Sequence, residues 1–411
     1  QEMDAAAIAI NEQRFAPNIV NVVSADEFGF IAEDNVGEFL KFMPGITLNY
    51  GDGDAESISM DGVPADNVPF TIGGFNLASA DVPFPSSNTS SRAVGLGQSS
   101  MSAIARVEVA FTPTPEISGG ALAGSINLVP RSAFERSKPV FNWSTYVTTR
   151  SNEHDFRPTP GPYGKLIRKI FPGFNFSYIK PVNKRFGFTL SGSRSTNFAP
   201  VGQVIAITRG TGLATTGTLF PDTTPDKPYR TEVDFNDSMR LTTRSSIGAT
   251  IDFKASPNDS VSFSFQYAAI DAAQNGQRMR FFMNSVLPGD FSDTYTRGVG
   301  TIWKQQGAFT SAGSTFTPSL TYRHDGSVWH SVVGAGLSRS TGNVKDGPET
   351  GRFGFVNEQH TNVNLSFEDV SYLRPAVITV TDRATGAAFD PHNISNYLLN
   401  SGNNNSRKSV D

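Results

Sequence analysis

At 411 residues the chain is too long for one ordinary small domain, so more than one structural unit is expected. A formal net charge of -4 with only 18% charged residues excludes the basic footprint of a nucleic-acid binder and the charge blocks of a disordered tail. The absence of cysteine excludes a disulfide scaffold and thiolate metal sites. Phe (32) and Gly (38) are abundant, yet no apolar run approaches the roughly 18–20 residues of a membrane helix. A water-soluble β protein and a membrane β-barrel both pass that test, because barrel strands alternate. Gln1 to Ala7 lacks the basic and apolar regions of a signal peptide, so either a leader has been removed or the chain is a fragment.

In chain order, Asn18 to Val23 is a short β-prone run, followed by the capping-type stretch Ser24-Ala25-Asp26-Glu27. From Asp34 to Met43, helical spacing of Val36, Phe39, Leu40 and Met43 behind an Asp N-cap predicts a helix with one apolar stripe. Pro44-Gly45 ends it. Three strands follow, Ile46 to Tyr50, Ser57 to Met60 and Phe70 to Ile72, punctuated by Asp61-Gly62 and Gly73-Gly74. The Ser/Asn/Pro/Gly-rich stretch from Asn76 to Ser100 is long for a plain connection. A short helix near Gln98 to Ala103 then leads into a strand from Arg106 to Ala110, and Ser125 to Val129 forms another. The cluster Gly119-Gly120 with Gly124 fits neither the Walker nor the dinucleotide spacing. Glycines that permit positive φ and close backbone packing are the expectation there.

These motifs stand in an order that resembles the plug domain of TonB-dependent outer-membrane receptors. In that family an "LPGV"-type element ends a helix. An "IRG"-type strand, a "DG" turn, an "RIEV" strand and a "GGxxNIVTK"-like strand follow. Here the corresponding stretches are Phe42-Met43-Pro44-Gly45-Ile46, Ser59-Met60-Asp61-Gly62, Gly73-Gly74, Arg106-Val107-Glu108-Val109 and Gly119 to Val129. The stretch from Ala7 to Gly29 resembles the pre-plug linker of a large-receptor subgroup, and Ser132 to Arg136 resembles the plug exit. Three positions depart from the family: Asp61 replaces the arginine of "IRG", Gly73-Gly74 replaces "DG", and Ala110-Phe111 replaces the lysine after "IEV". The family's pairing of that arginine with barrel acids is therefore not carried over. No energising-protein motif is found in residues 1 to 20, so the chain is expected to begin just after it.

From about Lys138 the period becomes two. Val261, Phe263, Phe265, Tyr267 and Ala269 alternate with Ser262, Ser264, Gln266 and Ala268. Phe186, Phe188 and Leu190, then Ile247, Ala249, Ile251 and Phe253, then Trp329, Val333, Ala335 and Leu337, form similar apolar faces. Such faces suit lipid outside and water inside, although a sandwich alternates as well. Between the tight turns at Pro181-Val182-Asn183-Lys184, Ser256-Pro257-Asn258-Asp259 and His324-Asp325-Gly326-Ser327 lie connections of roughly 40 residues, far above usual loop lengths. That predicts short turns at one end and long loops at the other. Counting Val140 to Arg150 and the three hairpins gives roughly seven strands of about 22 for a plugged barrel.

The fold class expected is thus a mixed α/β plug followed by antiparallel transmembrane β-barrel strands, an incomplete barrel. The divisions are 1–17 as pre-plug linker, 18–136 as plug and 137–411 as the N-terminal portion of the barrel. The resemblance implies active import of a scarce solute, an oligosaccharide or a ferric siderophore, across the bacterial outer membrane. The plug would be the gate, and the partners would be TonB with its inner-membrane motor, the solute and outer-membrane lipid. Ligand contacts would come from plug apical loops, with Asn67, Phe75, Asn76, Phe84 and Arg92 as candidates. Asp155, Arg157, Tyr163 and Lys165 lie in the first long barrel loop. His154, His324, His330, His360 and His392 are not in metal-ligand spacing, and no nucleophile elbow is present, so no metal, cofactor or enzymatic activity is expected. The alternative is a soluble or surface-anchored β-rich binding or adhesion protein, whose hairpins would meet by their apolar faces in a sandwich.

Overall fold

The structure, a computed structural model, describes residues 5–16, 18–25, 35–51, 53–80, 93–98, 100–112, 120–149, 157–160, 166–210, 219–346, 356–372, 374–390, 393, 398–400 and 407–410. The first unit contains helices α1 (Ala5–Phe15) and α2 (Val36–Leu40). Its strands are β1 (Val20–Ser24), β2 (Ile46–Gly51), β3 (Asp54–Met60), β4 (Phe70–Ile72), β5 (Phe75–Asn76), β6 (Ile104–Ala110) and β7 (Ser125–Pro130). Five of them form a sheet in the order β1-β6-β7-β4-β5, with β4 parallel to β7, while β2 and β3 make a separate hairpin.

Alternation along β6 sends Val107 and Val109 into the core, where Ile126 and Leu128 of β7 meet them. The apolar stripe Val36, Phe39, Leu40 and Met43 joins the same cluster, each side chain contributing about 1.5–3 kcal/mol on burial. The helix carrying it is shorter than expected. Its N-cap is Asn35, whose side chain accepts from the Gly37 N–H at 2.8 Å, and not Asp34, which lies outside the described residues. The helix expected near Gln98 to Ala103 is replaced by a single 3-10 turn at Leu96–Gln98. Gly124, at φ +121, would place a Cβ 1.9 Å from the Ala110 carbonyl oxygen, so this glycine serves close strand packing.

The second unit is a twelve-stranded antiparallel sheet plus one small ladder. Its strands are β8 (Val140–Thr148), β9 (Thr159–Pro160), β10 (Leu166–Ile167), β11 (Phe171–Pro181), β12 (Phe186–Arg209), β13 (Tyr229–Lys254), β14 (Asp259–Phe291), β15 (Thr296–Asp325) and β16 (His330–Gly336). β17 (Arg339–Asp346), β18 (Val356–Val370), β19 (Pro375–Asp382), β20 (Leu398–Asn400) and β21 (Arg407–Val410) complete it. The main path runs β8-β11-β12-β13-β14-β15-β18-β19. β16 and β17 pair with successive stretches of β15 and act as one broken strand. At the tight-turn end this gives the expected set of β8, β11, β12, β13, β14, β15 and β16–β17, an open wall.

The roughly 40-residue connection expected between β14 and β15 is corrected. β14 and β15 are joined through residues 292–295, and what read as loop is a continuous ladder from Asp259↔His324 to Phe291↔Thr296 with two irregularities. At about 3.3 Å per residue, the 33 residues of β14 run far past the ~25 Å apolar band of a membrane barrel. There the hydrogen-bonded ladder continues, and outward residues such as Val233, Phe281 and Ile302 are buried in a core of their own.

Paired residues share a face, so register assigns the two sides of the wall. Outward at the tight-turn end lie Phe141, Trp143, Leu190, Ile251, Phe263, Leu320 and Val333, all exposed. Inward lie Thr189, Ser191, Ser193, Thr250, Asp252 and Ser264, all buried. A sandwich would bury the apolar face. Here the polar face is covered, by the first unit.

Candidate functional site

The covered polar face is the candidate site: the seam between the first unit and the wall. It is built in tiers along β13, whose even-numbered residues face inward. At the tight-turn end, Asp252 accepts from the Ser132 hydroxyl at 2.9 Å and the Ala133 N–H at 2.7 Å on one oxygen, and from Ser262 at 2.6 Å on the other. Here the carboxylate holds the segment that leaves the first unit.

Beside Asp252, Gly187 would place a Cβ 2.6 Å from that of Ala133, and farther up Gly248 would place one 2.4 Å from the Ala103 Cβ. These wall glycines are where the backbone of the inner unit comes close. Ser246 then collects hydroxyls from both bodies, Ser100 at 2.8 Å, Ser102 at 3.0 Å and Ser193 at 2.7 Å.

The top tier is ionic. Asp54, at the tip of the β2–β3 hairpin, pairs with Arg244 at 3.2 Å, each side chain only 4% exposed. The same carboxylate accepts from Thr242 at 3.0 Å and Asn197 at 3.3 Å. Burial by itself would raise the Asp54 carboxyl. Arg244 and Arg240, with the Thr242 hydroxyl, outweigh burial and hold it below its ordinary range. Glu56 reaches Arg240 at 3.5 Å. Asp61, at the position where the resembled family has arginine, takes no part. It sits at φ +48 in the turn with Gly62, a left-handed conformation that Asp tolerates. In the Asp54–Arg244 and Glu56–Arg240 pairs the acid is on the inner body and the base on the wall.

A second ionic cluster ties α1 to the sheet. Arg106 on β6 pairs with Glu12, with Glu108 at 3.2 Å and with Glu135 at 3.8 Å. Burial is the largest influence on Glu12 and on Glu135, and both carboxyls are raised despite Arg106.

Far from the tight turns, the inner face of β13–β15 carries Asp234, fully buried against Arg278, and Glu232 with Arg280 at 3.1 Å. The Arg280 guanidinium lies 4.9 Å from the Trp303 ring centre and 5.5 Å from that of Phe282. The outer face of the same stretch buries Val233, Phe281, Ile302, Leu365 and Phe367, a separate core to which Phe220 and Tyr229 also belong.

Among the described residues, those named as ligand candidates do not converge. Asn67 is half-buried in a 3-10 turn, its carbonyl accepting from the Leu122 N–H at 3.2 Å. Asn76 is exposed and pairs with Thr71. The Phe75 ring packs where a Cβ on Gly334 or Gly336 would fall, 2.6 and 2.7 Å away, in the rows of the wall that carry Asp252 and Thr250. This places it at the tight-turn end of the wall, because the Gly73-Gly74 turn follows β4 and β4 runs parallel to β7 toward the exit. Phe84 and Arg92 lie outside the described residues, as do Asp155, Tyr163 and Lys165, while Arg157 is exposed. Among the described histidines, His324 braces a tight turn through Asp259 at 2.7 Å, His330 is exposed, and His360 lies 4.6 Å from the Phe389 ring. Among the described residues no group of three or more His, Cys, Asp or Glu could hold a metal ion.

Sequence reasoning passed over Asp54, Arg240, Arg244, Ser246 and Asp252. One signal was available: glycines at inward positions of otherwise well-patterned strands.

Comparison with known proteins matches residues 12–125 to the TonB-dependent receptor plug domain. No curated protein matches the sequence. Solved structures with a similar trace include a mutant ferric enterobactin receptor, PfeA, from Pseudomonas aeruginosa. It shows 10% identity and a TM-score of 0.32, over 91% of this chain and 60% of that one. The siderophore receptor PirA from Acinetobacter baumannii shows 9% identity and a TM-score of 0.35, over 90% of this chain and 59% of that one. The ferric citrate transporter FecA shows 12% identity and a TM-score of 0.33, over 88% and 65%. The chain spans about three fifths of the length of the first two. At such scores the likeness carries no argument, and the assignment rests on the plug match and on the polar-inside, apolar-outside wall around that domain. Residues 12–125 are thus a TonB-dependent receptor plug domain, joined in this chain to an open antiparallel sheet.

Proposed function

We propose that this chain gates and lines an active importer of the bacterial outer membrane, with residues 18–136 as the plug and 137–411 as wall. The observation that supports this reading most directly is the seam. A plug-family domain covers the polar face of a sheet whose apolar face is exposed. The outward band suits lipid, and the tight turns would face the periplasm. A scarce solute, a ferric siderophore or an oligosaccharide, would bind at the far end. TonB and its inner-membrane motor would pull through the N-terminal region, where residues 1–17 serve as linker.

Gating asks the plug to part from the wall and return. Hydroxyl pairs and a few ion pairs suit that better than an interdigitated apolar core, because water can replace each of them. The whole cycle needs no covalent chemistry.

The test exploits a chain without native cysteine. Ser100→Cys with Ser246→Cys replaces a 2.8 Å hydroxyl pair across the seam. In cells expressing the full receptor, the oxidised double variant is expected to lose uptake and regain it on reduction. Each single variant should transport normally. Growth on ferric siderophores or oligosaccharides as sole source reads the uptake and sorts the solute. Uptake undiminished by a confirmed cross-link would overturn the gate.

A further inference from the structure

We propose that Arg244 and Arg240 form a binding station for a carboxylate or phosphate group of the solute, held in the resting state by carboxylates of the plug itself. Arg244 is a wall residue whose Asp54 partner comes from a different body. The wall's own acids on this face are engaged elsewhere: Asp234 and Glu232 with Arg278 and Arg280, and Asp252 with the plug exit. Around Arg244 the wall offers neutral groups, Thr242 and Asn197, and both of these also donate to Asp54.

The resting contact does not use up the guanidinium. Nε and Nη1 of Arg244 are buried without a hydrogen-bond partner in the described structure, and a buried unfilled donor is costly. A forked guanidinium with spare donors, beside an amide and a hydroxyl, is a site for a planar or tetrahedral oxyanion. Asp54 fills part of it with one carboxylate.

Withdrawal of the β2–β3 hairpin would therefore leave two arginines on one strand face, four residues and about 13 Å apart, with no plug carboxylate beside them. An anionic group moving down the wall would meet Arg240 first and Arg244 next, taking the places of Glu56 and Asp54 in turn. The plug tip acts as a stand-in for cargo, and its return displaces the solute. The station thus narrows the solute to one carrying an anionic group. It rests on the transport reading, since a passing solute is what it would serve.

The experiment is chemical rescue on the purified full protein. Asp54→Ala removes the carboxylate and opens the space. Its Tm is expected to fall, and then to rise by several degrees with formate or inorganic phosphate relative to chloride at equal ionic strength. Wild type should not respond, and neither should Asp54→Ala combined with Arg244→Met. The formate and phosphate arms report which oxyanion fits. Should Asp54→Ala fail to fold, Glu56→Ala at the half-exposed end gives a smaller rescue that Arg240→Met abolishes. Absence of any anion-specific rise, or a rise that survives loss of the arginine, overturns the station. Because the measurement is made at equilibrium without the motor, its failure leaves uptake untouched. Loss of uptake in cells leaves the rescue untouched.

Discussion

Strands β13, β14 and β15 run through two regions that solve opposite problems with one ladder. Near the tight turns the outward side chains Ile251, Phe263 and Leu320 are exposed, and the inward Ser and Thr residues are buried under the plug. Farther along, the outward Val233, Phe281 and Ile302 are buried in a core of their own, and the inward face carries Asp234, Arg278 and Arg280. Backbone pairing is the same in both regions. What differs is the neighbour: in the first the plug covers the inner face and the outer face is exposed, and in the second folded protein segments cover the outer face. A strand's face pattern therefore reports its surroundings and not its existence.

Several substitutions break this contrast. The largest effect is expected at the seam, where Asp54→Ala strands the Arg244 charge and costs about 3–5 kcal/mol. Denaturant unfolding should show that loss, and the Asp54→Ala/Arg244→Met double variant should recover part of it. Next comes a matched pair on the outward face. Ile302→Ala, at a fully buried position, should cost about 2–5 kcal/mol, whereas Ile251→Ala, 45% exposed, should cost under about 1 kcal/mol in detergent. Equal losses at the two positions would contradict the two-region picture. Gly248→Ala forces a methyl against Ala103 and should cost about 1–3 kcal/mol. Hydrogen exchange should place the loosening in the plug contact and leave the far core protected.

The smallest effect is a pH dependence with opposite signs at the two ionic clusters. The folded-state pKa of Asp54 is lowered, so its contribution is complete above the ordinary Asp range and is lost only as pH falls through the lowered value. Glu12 and Glu135 are raised by burial, so each binds its proton more readily folded than unfolded. Their linkage therefore stabilises the fold progressively as pH falls from the raised value toward the ordinary one. Mild acid should tighten the α1 end without loosening the Asp54 contact. Thiol labelling of a cysteine placed on α1 reads this, and Glu12→Gln with Glu135→Gln should remove the response.

The plug was largely legible because its signals are local. Positive φ at Gly62, Gly73 and Gly74 and the buried alternation of β6 and β7 follow from short-range sterics and periodicity. The helix stripe Val36, Phe39, Leu40 and Met43 was read correctly, although the cap fell on Asn35. The candidate contacts were harder. Phe75 and Asn76 are adjacent in sequence to a turn, but which end of the wall that turn meets depends on β4 lying parallel to β7, a long-range pairing.

By itself the sequence determined the plug elements, the alternating wall strands and the tight turns, because each depends on residues a few positions apart. Tertiary structure alone decided that the connection between β14 and β15 is ladder, that Asp54 rather than Asp61 meets the wall, and that Arg244 and Arg240 receive it. Those outcomes join residues separated by 188 positions in the Thr242–Asp54 contact, a distance over which no local periodicity carries information.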